Sequence, residues 1–206
     1  MQADPPLSAP RPHSPPTLVL GSGSAYRREQ LARLGLPFVV DPADVDESTG
    51  PGEAPAALVA RLAADKALTV AARHPASVII GSDQVAVLDG RAIGKPGSVE
   101  AARAQLTAAS GRTVEFLTAL HVIDGLAGRE HVALDRTRAT LRALEASEIR
   151  RYVAADAPLD CAGAFRVEAL GIALFERVES SDPTALVGLP LIAAARALRA
   201  CGFSVP

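Results

Sequence analysis

Asp83 lies inside an apolar stretch of the sequence, VIIGSDQVAV, which has the composition of a β-strand. An unpaired carboxylate is costly to bury, so another group must compensate Asp83. That group is either a structural hydrogen-bond donor or a metal ion, a cation or a reacting water at the edge of the sheet. Side chains alternate along a strand, so Asp83 and Ser82 point to opposite faces unless the strand ends or bulges here. We expect a strand end at a cleft.

A lysine falls on the apolar face of the helix predicted between Pro55 and Arg73. Leu62, Lys66 and Val70 are spaced four residues apart and therefore share one face of that helix. One interpretation is that the Lys66 side chain extends past its apolar neighbours to water, and its position alone favours this. The other interpretation is that Lys66 projects into a cleft toward phosphate oxygens.

The loop GSGSAYRR, residues 21–28, joins a predicted strand to a predicted helix. Its small residues would let backbone amides approach an anion, and the positive end of the helix and two arginines would favour negative charge. The loop does not match GxGxxG, because Tyr26 replaces the third glycine, and no GK[ST] follows for a P-loop. A phosphate site and an ordinary Ser-capped helix with solvated arginines are equally open interpretations.

Two further loops carry charge. The segment ADVDE contains Asp44, Asp46 and Glu47, which could supply oxygen ligands to a divalent ion or could form a solvated turn. Lys95, in the segment GKP, is a loop cation, and most such lysines lie on the surface. None of these signals is decisive alone.

The elements that must position these residues alternate between strands and helices. Predicted strands are TLVLG, PFVVD, SVIIGSDQVAVLDG, TVEFLTALHVI, HVALDRTRATLRA, LDCAGAF and GIALFERV, and predicted helices are AYRREQLARLG, PAALVARLAADKALTVAAR, SVEAARAQLTAASG, EASEIRRYVAAD and PLIAAARALRACG. Asp-Gly pairs at Asp89 and Asp124 indicate tight turns. The order is mixed α/β, without a repeat or a flexible linker. We expect a Pro-rich disordered tail at residues 1–16 and a single domain at residues 17–206 whose cleft lies within it.

Composition narrows the class of protein. The chain has 206 residues, 49% hydrophobic and 21% charged, which is enough for a core without disulfides or a structural metal. A net charge of -2 and only 3% aromatic residues argue against a nucleic-acid polymer as partner. Cys161 and Cys201 do not form a metal-ligand spacing and suit a reducing compartment. With no recognisable signal peptide or membrane span, we expect a cytoplasmic protein without a membrane partner.

Taken in order, these segments resemble the Maf family of nucleoside triphosphate pyrophosphatases. The resemblance runs from about Thr17 to Phe203, nearly the whole predicted domain. Its segments are GSGSAYRR against the family's ASxSPRR, then DVDE, RLAADKA, GSD, GKP, DCAGAF and VGLPL. Several separate segments in the family's order make chance agreement improbable.

The resemblance implies an α/β fold, an elongated mixed β-sheet flanked by helices, with two lobes and a central cleft like that of inosine triphosphate pyrophosphatases. It implies that a divalent cation, Mg²⁺ or Mn²⁺, assists hydrolysis between the α and β phosphates, and that the protein is a homodimer. Asp83 would be the catalytic carboxylate, acting as a general base or as a metal ligand, with Glu47 as the other candidate ligand. The positions expected around the triphosphate are Ser22, Arg27, Glu47, Lys66 and Lys95.

Within the family, Gln84, Cys161 and Glu168 resemble the branch that acts on 7-methyl-GTP. The branch that acts on dTTP and UTP reads GADT and DKAGAYGIQG at the corresponding places. The chain departs from the general pattern at Ala25, where proline is usual, and at Tyr26, where the purine branch tends to have tryptophan. Methylation at N7 makes guanine cationic, so Tyr26 could stack on it, and Glu168 could accept from two donors of the base. Tyr26, Gln84 and Glu168 are therefore the expected specificity residues.

The expected activity is hydrolysis of 7-methyl-GTP, or a related modified nucleotide, in the removal of non-standard nucleotides. One alternative is a dTTP and UTP pyrophosphatase of the same family. Another, from a different class of protein, is a nucleotide-binding regulator of septum formation. A pyrophosphate-release assay with a panel of nucleotides distinguishes the three.

Overall fold

The computed structural model describes residues 16–206, so the tail predicted at residues 1–16 lies outside this range apart from its last residue. The helices within the range are α1 (Ala25–Ala32), α2 (Pro55–Ala71), α3 (Val99–Ala109), α4 (Ala146–Asp156) and α5 (Leu191–Ala200). The strands are β1 (Leu18–Leu20), β2 (Val39–Val40), β3 (Val78–Leu88), β4 (Arg91–Ile93), β5 (Thr113–Asp124), β6 (Arg129–Leu141) and β7 (Phe175–Glu179). No helix in this range has both the length and the apolar character needed to cross a membrane.

The strands form one mixed sheet in the order β2-β1-β3-β5-β6-β7, with β4 beside β3. β1 pairs in parallel with β2 and with β3, and the remaining pairs are antiparallel. Helices pack against the sheet. This confirms the predicted α/β class and the mixed sheet flanked by helices.

One edge of β3 has two short partners with a gap between them. β1 pairs with residues 78–80 of β3, and β4 pairs with residues 86–88. Among the described residues, the intervening segment 81–85 is paired only on its other edge, with β5. Asp83 is at the middle of this segment, so it lies where the sheet opens.

The prediction that the strand ends at Asp83 is wrong. β3 continues through Asp83 to Leu88 without interruption. It is the neighbouring strand that ends, at Leu20, after which the amide of Gly21 makes a last bond to the carbonyl of Ile80 at 2.8 Å. An edge left without a partner creates the cleft, and a strand terminus is not needed.

The apolar core is divided between the two ends of the long strands. One cluster joins β1, α1 and α5 to β3 and β5, and it includes Leu20, Leu31, Ile80, Leu120 and Leu198. A second joins α3 and α4 to the other end of the sheet, and it includes Leu106, Phe116, Leu141, Tyr152 and Phe165. These clusters are the cores of two lobes, and the opening at β3 lies between them.

Helix α2 crosses the face of β3 and β5 and approaches the sheet most closely at Gly81. A Cβ atom at Gly81 would lie 2.2 Å from the carbonyl oxygen of Ala63 and 2.7 Å from the amide nitrogen of Ala67. Only glycine tolerates an approach this close. The contact brings Lys66, the residue before Ala67, against Asp83.

The predicted strand LDCAGAF is wrong, and GIALFERV is a strand only in its second half. Residues 162–164 form a short 3-10 helix in which Gly163 and Ala164 have φ angles of 78° and 60°. A second 3-10 helix covers residues 170–174, and β7 begins only at Phe175. Short apolar runs do not distinguish a strand from other buried backbone, and no strand accommodates these positive φ angles.

We expect Gly81→Ala to lower the free energy of unfolding by about 3 kcal/mol or more, because the new methyl group must push α2 off the sheet. Urea unfolding measures this change. Gly94→Ala is the matched control, since a Cβ at Gly94 meets no atom within 4 Å. Equal stabilities of the two variants would contradict the close contact between α2 and β3.

Candidate active site

A chain of charged groups surrounds Asp83 in the cleft. The Lys66 Nζ lies 2.7 Å from Asp83 Oδ1 and 2.6 Å from Glu47 Oε1. Lys66 is only 6% exposed, so its ammonium group meets two carboxylates where an extended surface lysine would meet water. The Arg27 Nη2 lies 3.9 Å from the same Asp83 oxygen. The Lys66 side chain therefore does not extend to water, and its interaction with phosphate oxygens stays a prediction.

Two hydrogen bonds hold the Arg27 side chain in place, and a third holds its backbone. Its Nε donates to the Gly188 carbonyl at 2.8 Å, and its Nη1 donates to the Ser22 hydroxyl at 3.3 Å. Its backbone amide donates to the hydroxyl of Ser24, the N-cap of α1. Burial lowers the pKa of Arg27, and the negative charges of nearby Asp83 and Glu47 oppose this change. An arginine keeps its charge in a protein, so Arg27 is a fixed cation in the cleft.

Glu47 connects the acidic loop to this cluster. The hydrogen bond from Lys66 holds the pKa of Glu47 below its ordinary value, and the charges of Lys95 and Arg27 add to the effect. Lys95 is exposed in the loop after β4, close enough to influence Glu47. The structure therefore brings together Ser22, Arg27, Glu47, Lys66 and Asp83, whereas Lys95 acts on Glu47 through its charge and makes no hydrogen bond or ion pair within residues 16–206.

A second group of polar side chains centres on Tyr26. The Tyr26 hydroxyl donates to the Asp160 carboxylate at 3.3 Å, and the Cys161 thiol donates to the Tyr26 oxygen at 3.5 Å. The Arg166 guanidinium carbon lies 5.8 Å from the centre of the Tyr26 ring. Arg166 Nε lies 3.7 Å from Glu168 Oε1, so Arg166 links the two predicted specificity residues, Tyr26 and Glu168.

Sequence reasoning missed Asp160 and Arg166. Asp160 belongs to the segment that supplied Cys161, and its carboxylate was an available signal. Arg166 gave no signal, because only the folded loop places it over an aromatic ring. Its position shows that this ring can accommodate a cation. Burial raises the pKa of Cys161 to about 11, so its thiol is neutral near pH 7.

The structure does not bring Gln84 to either group. Its amide nitrogen donates to the Ala185 carbonyl at 2.8 Å and to the Thr118 hydroxyl at 3.0 Å. In the alternation of β3 this side chain points to the face opposite Asp83. Gln84 therefore contacts the turn that precedes α5, the same turn whose Gly188 carbonyl accepts from Arg27.

That turn contains the segment VGLPL, for which the sequence suggested no role. In the structure it supports the residues of the cleft. The Gly188 carbonyl accepts from Arg27 and also from the Ser82 hydroxyl, the latter at 3.0 Å. Gly188 has a φ angle of 107°, which favours glycine. The Asp182 carboxylate, 4% exposed, accepts from the amide of Ile192 at 2.7 Å and so ties the turn to the start of α5. The turn thus fixes the carbonyl that orients Arg27.

Within residues 16–206 there is no group of three or more histidine, cysteine, aspartate and glutamate side chains arranged to hold a metal ion. Asp83 and Glu47 nevertheless contact the same Lys66 nitrogen and are near each other. Mg²⁺ commonly uses one or two carboxylates together with substrate phosphates and waters. The two residues therefore fit an ion that binds together with a phosphate substrate, and they would be its protein ligands.

A cleft with cations from three separate elements around one carboxylate is suited to a polyphosphate. Arg27 comes from α1, Lys66 from α2 and Lys95 from the loop after β4. A base attached to that polyphosphate would extend toward an aromatic ring, and Tyr26, the neighbour of Arg27 in sequence, carries one. The fold and the site together define a nucleotide-binding α/β protein.

The chain belongs to the Maf family, because the model of that family, described as Maf-like protein, matches residues 17–201. A 7-methyl-GTP pyrophosphatase of Xanthomonas campestris pv. campestris is 57% identical over 193 residues, covering 93% of this chain and 99% of the relative. Relatives with the same name from Cupriavidus metallidurans and Bordetella pertussis are 51% and 52% identical, covering 91% and 93% of this chain and 94% and 96% of their own. The resemblance inferred from the sequence is confirmed.

We expect the stability that Glu47 contributes to depend on pH. Its folded-state pKa is depressed, so its contribution is complete above the unfolded value of about 4.3 and is lost as the pH falls through the folded value. The difference in free energy of unfolding between wild type and Glu47→Gln should therefore shrink between pH 6.5 and pH 3. Urea unfolding at a series of pH values measures it.

Asp44→Asn is the matched control, because Asp44 lies in the same loop and forms no side-chain hydrogen bond or ion pair with the rest of residues 16–206. The difference in free energy of unfolding between wild type and Asp44→Asn should change less over the same pH range. If the difference in free energy of unfolding between wild type and Glu47→Gln stayed constant with pH, the ion pair between Glu47 and Lys66 would not persist in solution.

Proposed function

We propose that this protein is a nucleoside triphosphate pyrophosphatase that hydrolyses 7-methyl-GTP to 7-methyl-GMP and pyrophosphate. The observation that carries the proposal is the cluster of Asp83, Lys66, Glu47 and Arg27 in the cleft. The names of the similar proteins support the substrate. The proposed role is removal of non-standard nucleotides.

The chain's own residues divide the work in this reaction. Arg27, Lys66 and Lys95 bind the triphosphate and offset its charge, and the Ser22 hydroxyl keeps Arg27 oriented. A water oxygen bonds to the α phosphorus while the bond from that phosphorus to the bridging oxygen breaks, and pyrophosphate leaves. Asp83 Oδ1 is engaged by Lys66, whereas Oδ2 has no bond to residues 16–206, so Oδ2 is the atom available either to accept the water's proton or to bind the cation.

Mg²⁺ or Mn²⁺, held by Asp83 and Glu47, would neutralise phosphate charge and make the water more acidic when bound. With such an ion bound, Lys66 would no longer need to balance both carboxylates and could bind phosphate oxygens. The Lys66 ammonium group thereby couples binding of the ion by Asp83 and Glu47 to binding of phosphate.

Base recognition is assigned to Tyr26 and Glu168. A Tyr26 ring that already accommodates the Arg166 guanidinium suits the cationic 7-methylguanine ring. The Glu168 carboxylate can accept from both donors on the pairing edge of guanine, which no pyrimidine offers. Gln84 contributes to specificity indirectly, by holding the turn at Ala185.

We further propose that the protein is a cytoplasmic homodimer. Both cysteines are free thiols, which suits a reducing compartment. Within residues 16–206, β7 pairs only with residues 138–141 of β6, and Val132 and Leu134, farther along β6, are 72% and 40% exposed. This strand offers an apolar surface to a second copy, and sedimentation of the purified protein as a monomer would contradict the proposal.

Asp83→Asn should lower kcat for 7-methyl-GTP by about 10²- to 10⁴-fold, the usual contribution of a general base, because the amide cannot accept the proton. Pyrophosphate release in the presence of Mg²⁺ measures this change. Asp89→Asn, at the turn after the same strand, is the matched control and should retain wild-type turnover. Near-normal turnover of a folded Asp83→Asn variant would disprove the catalytic assignment.

Glu168→Gln should reduce kcat/KM for 7-methyl-GTP by roughly 5- to 150-fold, because an amide donor then faces a base donor and a mismatch costs about 1–3 kcal/mol. The loss with UTP should be small. Tyr26→Leu should affect 7-methyl-GTP more than GTP, because only the methylated base is cationic.

Steady-state kinetics with 7-methyl-GTP, GTP and UTP test both substitutions. Equal losses on all three nucleotides would show that these residues maintain the cleft and do not choose the base.

A further inference from the structure

The loop that carries Glu47 needs a tether. Residues 41–54 connect β2 to α2 without helix or strand, so their own backbone pattern does not fix the position of Glu47. The Glu47 side chain is 62% exposed, and its contact with Lys66 is its only ion pair within the described residues. A flexible loop would lose that contact to conformational entropy unless other groups held it.

Arg61, on the side of α2 that faces this loop, supplies the tether. Its Nε and Nη2 donate to the two carboxylate oxygens of Glu53 at 2.8 and 2.9 Å. Its Nη2 also donates to the carbonyl oxygen of Ser48, the residue after Glu47, at 2.9 Å. Its Nη1 lies 3.4 Å from Asp65 on the next turn of the helix. One guanidinium group thus connects the helix to both ends of segment 48–53.

Two bonds within the loop extend this network to the other side of Glu47. The Ser48 amide donates to the Asp46 carboxylate at 2.9 Å, and the Gly50 amide donates to Glu53 Oε2 at 2.9 Å. Both sequence neighbours of Glu47 are therefore bonded into the network. Its backbone has little freedom while the network is intact.

The same helix carries the tether and the residue that Glu47 must meet. Arg61 and Lys66 are five positions apart, so they point in directions that differ by about 140° around α2. Arg61 holds the loop at the outer side of the helix, and Lys66 receives Glu47 at the inner side. Arg61 and Glu53 stay charged at neutral pH, since the hydrogen bond from Arg61 lowers the pKa of Glu53 to about 2.

We propose that Arg61 is a positioning residue that holds Glu47 against Lys66 and thereby sets how well the cleft accepts a divalent cation with its phosphate substrate. The part that concerns cation and substrate rests on the proposed function. Arg61 contacts neither Asp83 nor Lys66 in the structure, so its effect is transmitted through Glu47 alone.

The contacts require the shape of arginine and not only its charge. A guanidinium group donates in parallel to a carboxylate and has further donors for the Ser48 carbonyl, whereas a lysine ammonium is a single point. Arg61→Lys therefore keeps the charge of the site and removes the fork. Glu53→Gln removes the acceptor of the fork and leaves Arg61 in place.

Hydrogen exchange of the purified protein tests the tether without reference to activity. The Ser48 and Gly50 amides, which donate hydrogen bonds within the network, should exchange at least about tenfold faster in Arg61→Lys and in Glu53→Gln, because each opening step becomes easier by about 1.4 kcal/mol or more. Arg142→Lys is the matched control, since Arg142 makes similar bonds to Glu148 and to the Ala173 carbonyl in the other lobe. Unchanged exchange of the Ser48 and Gly50 amides in both test variants would overturn the proposal.

Kinetics test whether the tether acts through Glu47. The Mg²⁺ concentration for half-maximal hydrolysis of 7-methyl-GTP should rise about 10- to 100-fold in Arg61→Lys, as is typical when a residue behind a metal ligand is lost. In a Glu47→Gln background the same substitution should have no further effect. An equal effect in both backgrounds would show that Arg61 acts elsewhere.

The two proposals fail in different ways. Absence of pyrophosphate release by the wild type with every nucleotide tested would defeat the proposed function, and hydrogen exchange would still decide whether Arg61 holds the loop. Normal wild-type activity with an unaltered loop in Arg61→Lys and Glu53→Gln would defeat the positioning role alone.

Discussion

A lysine ammonium group held between two carboxylates is the interaction on which the organisation of the cleft depends. Lys66 and Asp83 are both buried, and their charges are balanced within the cluster, Lys66 by Asp83 and Glu47, and Asp83 by Lys66 and Arg27. Such a pair contributes little to stability in many proteins, because desolvation offsets the attraction. Its retention at the point where the sheet opens is better explained by what the ammonium and carboxylate can do for a charged ligand.

This ion pair exists because backbone elements approach each other unusually closely. α2 rests on β3 where Gly81 has no side chain, and the next residue but one in β3 is Asp83. The missing strand partner along residues 81–85 then leaves the edge of the sheet open beside this carboxylate, although Asp83 itself is only 9% exposed. A close contact and an open edge, both backbone features, together determine the site.

Much of the site could be predicted because its residues violate the pattern of the elements that carry them. Lys66 interrupts an apolar helix face and Asp83 interrupts an apolar strand, and one shared cleft explains both. The position of Asp83 within its strand could not be predicted, because hydrophobic periodicity describes one strand and does not say where a neighbouring strand ends. The 3-10 turn at Gly163 was missed for a related reason, since its positive φ angle depends on packing against Phe116 and Phe165. The resemblance placed Gln84 near the base; its side chain bonds to the turn at Ala185, and its role in base selection stays a prediction.

The strands β3, β5 and β6 run without a break through both lobes, and this determines how the molecule can move. A hinge between the lobes would have to break consecutive rungs of the β3–β5 and β5–β6 ladders, which extend over nearly the full lengths of these strands. The frame is therefore stiff, and the width of the cleft is nearly constant. Adjustment to a ligand is left to the segments that border the opening, namely the loop before α1 and the GKP loop, because Arg61 holds the acidic loop. A protein of this architecture selects ligands by the shape of a rigid cleft bordered by loops that can move. It does so without rotation of whole lobes.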